Sequence, residues 1–203
     1  MKLPKIDWKK NAGLVPVIVQ DATTLQVLML GYMNDAALKK TLRTKKVTFF
    51  SRSKQRLWTK GESSGNFLKF VSVAVDCDND TLLIQARPDG PTCHRGTISC
   101  FGDSGASGVG FLAQLDEVVA ARIKSKDKSS YTVRLVQEGV ARVAQKVGEE
   151  GVETALAALQ KNQKEFTGEA ADLLYHLIVL LRAKKLSLAD AIAVLEKRHA
   201  PKK

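Results

Sequence analysis

The sequence predicts two domains, a strand-rich α+β domain followed by an all-α domain. Up to about residue 100, apolar residues occur in short β-branched or aromatic runs separated by turn residues, a pattern typical of strands. From residue 111 onward they recur at helical spacing, and proline is absent until Pro201. Between the halves, "GDSGASGVG" (102–110) favours a flexible linker over a loop inside one domain. We predict domains at 1–104 and 113–203, joined by a linker at 105–112.

Strands of the first domain are expected at its apolar runs, with one short helix between the second run and the third. Asn34 precedes "DAALKKTLRTKK" and is expected to cap that helix, because an asparagine side chain can accept hydrogen bonds from the first free N–H groups. The predicted strands are 14–20, 27–33, 47–51, 67–75 and 81–86.

The apolar periodicity of the second domain predicts four helices. Ser187 and Asp190 have the spacing of a capping box, in which each side chain bonds to the backbone N–H of the other residue. We therefore expect the last helix to begin directly after Ser187. The predicted helices span 111–125, 131–163, 166–185 and 188–199.

The composition is that of a globular protein, with 203 residues of which 44% are hydrophobic and 26% charged. No apolar run approaches the roughly 18–20 residues that span a bilayer. The N-terminal "MKLPKIDWKKN" is not followed by the apolar region of a signal peptide. We therefore expect a cytoplasmic protein without a membrane partner.

The formal net charge of +11 is spread over both halves of the chain. Residues 1–110 contain 16 basic and 9 acidic side chains, and the remainder contains 16 and 12. Nucleic-acid-binding surfaces are usually concentrated patches, whereas diffuse positive charge suits a small polyanionic substrate at least as well.

Three cysteines, Cys77, Cys93 and Cys100, lie within 24 residues. An odd number of cysteines argues against a disulfide framework and leaves free thiols or metal-bound thiolates. Three thiolates suit a catalytic zinc ion, which uses three protein ligands and keeps one position open. His94 could complete a four-ligand set, although it adjoins Cys93. Three unrelated buried thiols are the alternative.

Three aspartates alternate with other residues in "DCDND" (76–80), directly after the apolar run "FLKFVSVAV". If the strand continues through this segment, Asp76, Asp78 and Asp80 share one face and Cys77 lies on the other. Carboxylate oxygens are ligands that Mg²⁺ prefers. The segment therefore predicts a magnesium site on one face and a zinc ligand on the opposite face.

Three motifs follow one another in the first domain: "WTKGESSGN" (58–66), "DCDND" and "CHRGTISCF" (93–101). In these motifs, the domain resembles the phosphoribosyl-AMP cyclohydrolases of histidine biosynthesis, from about Val15 to Phe101. The resemblance implies a homodimer with its active site at the subunit interface, three cysteines that bind Zn²⁺ and three aspartates that bind Mg²⁺. It also implies hydroxide addition to adenine C6 and opening of the N1–C6 bond without loss of ammonia.

Two further residues are candidates for catalysis in this domain. His94 is a candidate proton shuttle because imidazole titrates near neutral pH, and a structural role beside the metal is the alternative. Lys60 is a candidate phosphate ligand within "WTKGESSGN", where a turn packed on Trp58 is the alternative.

In the second domain, pairs of acidic residues are spaced three apart on two successive helices. Glu150 and Glu153 share one helix face, Glu169 and Asp172 share another, and Glu149 can reach the side of Glu153. A solvated acidic face is the alternative for a single pair. Two pairs on neighbouring helices predict a four-carboxylate site suited to Mg²⁺.

This half resembles phosphoribosyl-ATP pyrophosphohydrolase, an all-α pyrophosphohydrolase with an ExxE…ExxD signature, over about 113–199. "SSYTVRL" (129–135) and "KVGEEGVE" (146–153) strengthen the resemblance. It implies that the four carboxylates bind Mg²⁺ while Glu149 and Glu150 take part in catalysis. Together the halves predict a bifunctional enzyme that converts phosphoribosyl-ATP to phosphoribosyl-AMP and then opens the adenine ring.

Two other classes of protein fit the sequence less well. A zinc-dependent nucleoside deaminase expects H-x-E and P-C-x-x-C motifs, whereas Cys93 and Cys100 are seven residues apart. A basic zinc module that binds nucleic acid expects clustered cations with exposed aromatic side chains, and aromatic residues are only 6% of this chain. We therefore expect small phosphoribosyl nucleotides, not nucleic acid, as partners.

Overall fold

The computed structural model describes residues 5–10, 12–102 and 105–200. The chain separates into two compact units, Met1–Phe111 and Leu112–Lys203. The first unit contains all the strands of the described residues, and the second is helical, which confirms the predicted fold class. Asp103 and Ser104 of the predicted glycine- and serine-rich stretch lie outside the described residues.

A four-stranded sheet in the order β2-β1-β6-β5 forms the centre of the first unit. Strand β1 pairs antiparallel with β2 and parallel with β6, which in turn pairs antiparallel with β5. A separate hairpin of β3 and β4 accompanies helix α1. The strands β1 to β6 are Val15–Asp21, Val27–Met33, Thr48–Ser51, Arg56–Thr59, Leu68–Val75 and Leu82–Pro88, and α1 is Asp35–Thr44.

The alternation of side chains along β1 and β6 builds the core of this unit. Val15, Val17 and Val19 are fully buried on β1, as are Leu82 and Ile84 on β6. Alternate residues of a strand point to the same face, so a run of valines at every second position presents one continuous apolar surface. All five predicted strands begin within one residue of their predicted positions.

Helix α1 begins as predicted, and strand β4 was missed. The Asn34 side chain accepts a hydrogen bond from the Ala37 N–H at 2.9 Å, which confirms the N-cap. Strand β4 contains only two apolar residues, too few for a recognisable pattern. Its Trp58 pairs with Phe49 of β3, and their rings stack with centroids 5.6 Å apart, so pairing across the hairpin stabilises it.

The predicted helix 131–163 is wrong, because two helices occupy this region. Gly139 has a φ of 102°, which interrupts the helix, and glycine adopts such a conformation without the steric penalty of a Cβ. The second of the two helices ends at Ala157, well before residue 163. Helices α2 to α6 are Gly110–Ser125, Tyr131–Gln137, Val140–Ala157, Gln163–Ala183 and Leu188–His199.

The helical unit is held by a small apolar core and a buried ion pair. Val119, Val143 and Ile178 are among its buried residues. Arg182 on α5 binds both oxygens of buried Asp116 on α2, at 2.6 and 2.7 Å, in the paired geometry that a guanidinium and a carboxylate favour. The predicted capping box of Ser187 and Asp190 is present at the start of α6. Within the described residues, no helix combines the length and apolarity needed to cross a membrane.

Candidate active sites

The segment "DCDND" forms a turn between β5 and β6, so the strand does not continue through it. Strand β5 ends at Val75, and the Asp76 side chain accepts hydrogen bonds from the N–H groups of Asp80 and Thr81 at 2.9 and 3.0 Å. Asn79 adopts a positive φ of 64°, which asparagine tolerates in turns. Local hydrogen bonds to a carboxylate therefore shape this loop, and alternation along a strand does not place its acidic side chains.

This turn brings the three aspartates together. Oxygens of Asp76, Asp78 and Asp80 lie within 4.8 Å of one another, as a shared cation would require. The Lys10 ammonium contacts Asp78 and Asp80 at 2.6 and 2.9 Å, and these hydrogen bonds raise the pKa of Lys10. The hydrogen bond from Thr81 N–H is the largest of several that lower the pKa of Asp76. The lowered pKa keeps Asp76 ionised, and the contacts of Lys10 show that this cluster of carboxylates attracts a positive charge.

Two of the three cysteines meet in the loop that follows β6. The Cys93 N–H donates to the carbonyl of Thr97 at 3.0 Å, which closes a tight turn, and the Cys100 N–H donates to the carbonyl of Leu28 at 2.8 Å. The Cys93 and Cys100 side chains line the same cavity, and each thiol contributes to the pKa shift of the other. His94 Nδ1 lies 3.9 Å from the Cys93 sulfur.

The two thiols have different electrostatic surroundings. The backbone N–H of Arg95 is the main group that lowers the pKa of Cys93, with help from the Thr97 side chain. Burial is the main cause that raises the pKa of Cys100. A lowered pKa favours the thiolate, which is the form that binds metals.

Cys77 does not join the other two cysteines. It is exposed within the aspartate turn. Among the described residues, no set of three metal-binding side chains with ligand atoms within 4.8 Å contains a cysteine. Within one chain, the three predicted zinc ligands therefore do not form a group with sulfur atoms within 4.8 Å of one another.

The "WTKGESSGN" segment and the Cys93 loop form a cavity of about 290 Å³. Lys60 lines it and is itself buried, while Cys93 and His94 line both this cavity and an adjoining one of about 400 Å³. Gly61 has a φ of 91°, and a Cβ there would lie 2.5 Å from the Asn66 carbonyl oxygen. The glycine is therefore needed for the segment to fold back and present Lys60 beside His94.

Helices α4 and α5 place acidic residues at a second site. Oxygens of Glu150, Glu169 and Asp172 lie within 4.8 Å of one another, and Glu150 is buried. Loss of solvent is the largest cause that raises the pKa of Glu169, and the nearby charge of Glu153 adds to it. Like charges held this close favour a bound cation. Glu153 thus acts on this cluster by its charge, although it is not one of the three residues within 4.8 Å.

Glu149 is held in a different set of contacts. Its carboxylate accepts hydrogen bonds from Gln145 and Lys146, both at 2.8 Å, and those from Lys146 are the main cause that lowers its pKa. Lys146 also contacts Glu150 at 2.9 Å. Lys146 therefore links Glu149 to the acidic cluster.

Sequence reasoning missed His176 at this site. It is buried, and its Nδ1 lies 3.5 Å from a carboxylate oxygen of Glu150. His176 follows Asp172 by four residues and Glu169 by seven, the spacing of residues on one helix face. That spacing could have placed His176 beside the acidic residues of α5.

Two families match the chain in succession. The phosphoribosyl-AMP cyclohydrolase family matches residues 29–102, and the phosphoribosyl-ATP pyrophosphohydrolase family matches residues 112–199. The first match contains the aspartate turn and all three cysteines, and the second contains the acidic cluster of α4 and α5.

Similar proteins extend over nearly the whole chain. Proteins called "Histidine biosynthesis bifunctional protein HisIE" are 60% identical in Xanthomonas axonopodis pv. citri and 62% identical in Xylella fastidiosa strain Temecula1, each over 97% of this chain and 94% of the relative. The protein of that name in Escherichia coli K12 is 60% identical over 96% of both chains.

Proposed function

Because this chain belongs to the bifunctional histidine-biosynthesis proteins that join a phosphoribosyl-AMP cyclohydrolase to a phosphoribosyl-ATP pyrophosphohydrolase, we propose how its residues divide the two reactions. The helical unit converts phosphoribosyl-ATP and water to phosphoribosyl-AMP and pyrophosphate. The strand-rich unit then opens the adenine ring of that product by hydrolysis. The order of the units along the chain is the reverse of the order of the reactions.

For pyrophosphate release, the supporting observation is the acidic cluster on α4 and α5. Three carboxylates within 4.8 Å form an all-oxygen donor set, which fits Mg²⁺. Glu150, Glu169 and Asp172 would hold the ion, with Glu153 beside them. When bound, Mg²⁺ neutralises the triphosphate.

Glu149 and Lys146 are placed to act beside this ion. Water attacks the α-phosphorus, the bond from that phosphorus to the bridging oxygen breaks, and pyrophosphate leaves. The lowered pKa of Glu149 keeps it an ionised hydrogen-bond acceptor at neutral pH, so it can orient the attacking water. Lys146 holds Glu149 and Glu150 at fixed positions.

For ring opening, the thiols of Cys93 and Cys100 fit zinc, because soft thiolates close to each other and beside His94 are typical zinc donors. We propose that Cys77 of a second copy supplies the third thiolate, since Cys77 is exposed and forms no three-ligand group within 4.8 Å with the other two. The aspartates of the same turn would hold Mg²⁺. When bound, zinc lowers the pKa of a coordinated water to about 7.

His94 and Lys60 have distinct roles in this reaction. Water adds to C6 of the adenine, the N1–C6 bond breaks, N1 takes up a proton, and the exocyclic nitrogen stays on the product. His94 lines both cavities beside Cys93, so it is placed to move that proton. Lys60 lines the cavity and has an ammonium that suits a substrate phosphate.

We further propose a homodimer in the cytoplasm. Three free cysteines suit a reducing compartment. In the helical unit, many large apolar side chains are exposed, more than an isolated surface usually shows. Those on α4, α5 and α6 include Val152, Leu156, Phe166, Leu174, Leu177, Ile192, Val194 and Leu195.

Light scattering at micromolar concentration is expected to give twice the chain mass of 22.2 kDa. A second copy would cover the exposed apolar faces and complete the thiolate set. As a control, the mass is measured again after dilution to nanomolar concentration, because dilution favours dissociation of a reversible dimer. A mass of one chain at micromolar concentration would contradict the shared site.

The two reactions can be followed together on the purified protein. After addition of phosphoribosyl-ATP with Mg²⁺ and Zn²⁺, we expect pyrophosphate to appear first and the ring-opened product to follow in equal final amount. Ammonia should stay at background, because ring opening retains the exocyclic nitrogen. Ammonia released in step with product would instead indicate a nucleoside deaminase. Pyrophosphate release that continues after chelation of all divalent ions would contradict the magnesium site.

A further inference from the structure

A buried histidine joins the acidic cluster to helix α3. His176 is only 5% exposed, and its two ring nitrogens contact different helices. Nδ1 lies 3.0 Å from the backbone carbonyl oxygen of Asp172 and 3.5 Å from Oε1 of Glu150. Nε2 lies 3.2 Å from the hydroxyl of Tyr131. The ring is therefore a bridge from α3 to a proposed magnesium ligand.

The partners of the ring decide where its proton lies. Both groups beside Nδ1 are oxygen acceptors, so Nδ1 must bear a proton. In the neutral ring Nε2 then has the lone pair, and the Tyr131 hydroxyl donates to it. The oxygens of Asp172 and Glu150 thus fix the tautomer, and the Tyr131 hydroxyl orients the ring through its bond to Nε2.

Neighbouring groups fix the ring and the carboxylate. The ring of Tyr175 packs edge-on against His176, and its hydroxyl bonds to that of Thr132 at 2.7 Å. On the other side, Lys146 contacts the same oxygen of Glu150, Oε1, at 2.9 Å. Lys146 and His176 both act on Oε1, and the second oxygen of Glu150 is thereby left for a cation.

We propose that His176, oriented by Tyr131, is a positioning residue that holds Glu150 ready for the metal of the pyrophosphohydrolase site. This inference rests on the proposed magnesium role of Glu150. It also gives a function to the "SSYTVRL" segment. Tyr131 of that segment bonds to His176, and Thr132 bonds to the adjacent Tyr175 on α5. Partners that orient a metal ligand typically change metal affinity by about 10–100-fold when removed.

A pair of substitutions separates the two nitrogens. Asparagine places its amide nitrogen near the position of Nδ1, whereas glutamine places its nitrogen near Nε2. His176→Asn should therefore keep Mn²⁺ affinity within about fivefold, and His176→Gln should lower it by about tenfold or more. Mn²⁺ binding is measured by electron paramagnetic resonance without substrate, on a full-length Asp78→Asn/Asp80→Asn background that removes the other acidic site. Circular dichroism checks that each variant is folded.

Tyr131→Phe tests the orientation of the ring. It should lower Mn²⁺ affinity severalfold, and the Tyr131→Phe/His176→Gln double variant should bind no more weakly than His176→Gln, because Tyr131 acts through the histidine. Tyr32→Phe is the matched control, since it removes a tyrosine hydroxyl on β2 of the other unit, and it should leave the affinity within about twofold.

The outcomes separate this inference from the function on which it rests. If Glu150→Gln weakens Mn²⁺ binding but His176→Gln and Tyr131→Phe bind like the parent, the positioning role is wrong and the metal site stands. Additive losses in the double variant would show that Tyr131 does not act through His176, which also overturns the proposal. Unchanged Mn²⁺ binding in Glu150→Gln would overturn the proposed metal site itself.

Discussion

Glu150→Gln is expected to lower pyrophosphate release from phosphoribosyl-ATP by roughly 100-fold or more and to leave ring opening of supplied phosphoribosyl-AMP nearly unchanged. Glutamine has nearly the same shape but no charge, so it removes one of three carboxylates proposed to hold Mg²⁺. Loss of about 3 kcal/mol of transition-state stabilisation corresponds to that factor. Both half-reactions are assayed separately on the same protein.

Glu196→Gln is the matched control for this substitution. Glu196 lies exposed on α6, and its replacement makes the same change of charge in the same unit. It should leave both activities within about twofold of the parent, as surface substitutions usually do. If Glu150→Gln also abolishes ring opening while its circular dichroism spectrum is unchanged, one composite site performs both reactions.

Cys93→Ser is expected to do the reverse, with ring opening lowered by roughly 1,000-fold and pyrophosphate release preserved. A serine hydroxyl is a poor zinc ligand, and without the ion the attacking water has a pKa far above the value of about 7 that zinc gives it. Elemental analysis should find about one zinc per chain in the parent protein and little in the variant. Phosphoribosyl-AMP should then accumulate when phosphoribosyl-ATP is supplied.

Mixing two inactive variants tests whether the thiolates come from different copies. In a heterodimer of Cys77→Ser and Cys93→Ser chains, one shared site lacks two thiolates and the other is intact. Random exchange of subunits in a twofold dimer should therefore restore about a quarter of the parent ring-opening activity. Each variant alone should remain inactive. If ring-opening activity does not recover after verified subunit exchange, all three zinc ligands come from one chain. If the Cys93→Ser variant keeps its zinc, Cys93 is not a zinc ligand.

Local patterns along the sequence determined the fold class and most elements. Alternating buried valines identify β1, Asn34 marks the start of α1, and Ser187 with Asp190 marks the start of α6. Each of these depends on residues close together in the chain, and periodicity and capping are local effects. The acidic pairs and clustered cysteines likewise identified the two candidate sites.

The tertiary structure decided how those residues meet. The aspartates converge because Asp76 accepts hydrogen bonds from two N–H groups of its own turn, and the preceding strand ends at Val75. Gly139 divides one predicted helix, although a glycine within a helical pattern does not by itself show a positive φ.

The sequence also could not predict the distances between residues that are far apart in the chain. Cys77 is near Cys93 and Cys100 in sequence, yet among the described residues the three sulfur atoms do not form a group within 4.8 Å. Tyr131 meets His176 across 45 residues of chain. Sequence patterns identify residues that can bind metals, because the ability to bind a metal depends on the type of side chain. Which of them share one ion depends on packing between distant elements, where side-chain position is set by the whole core.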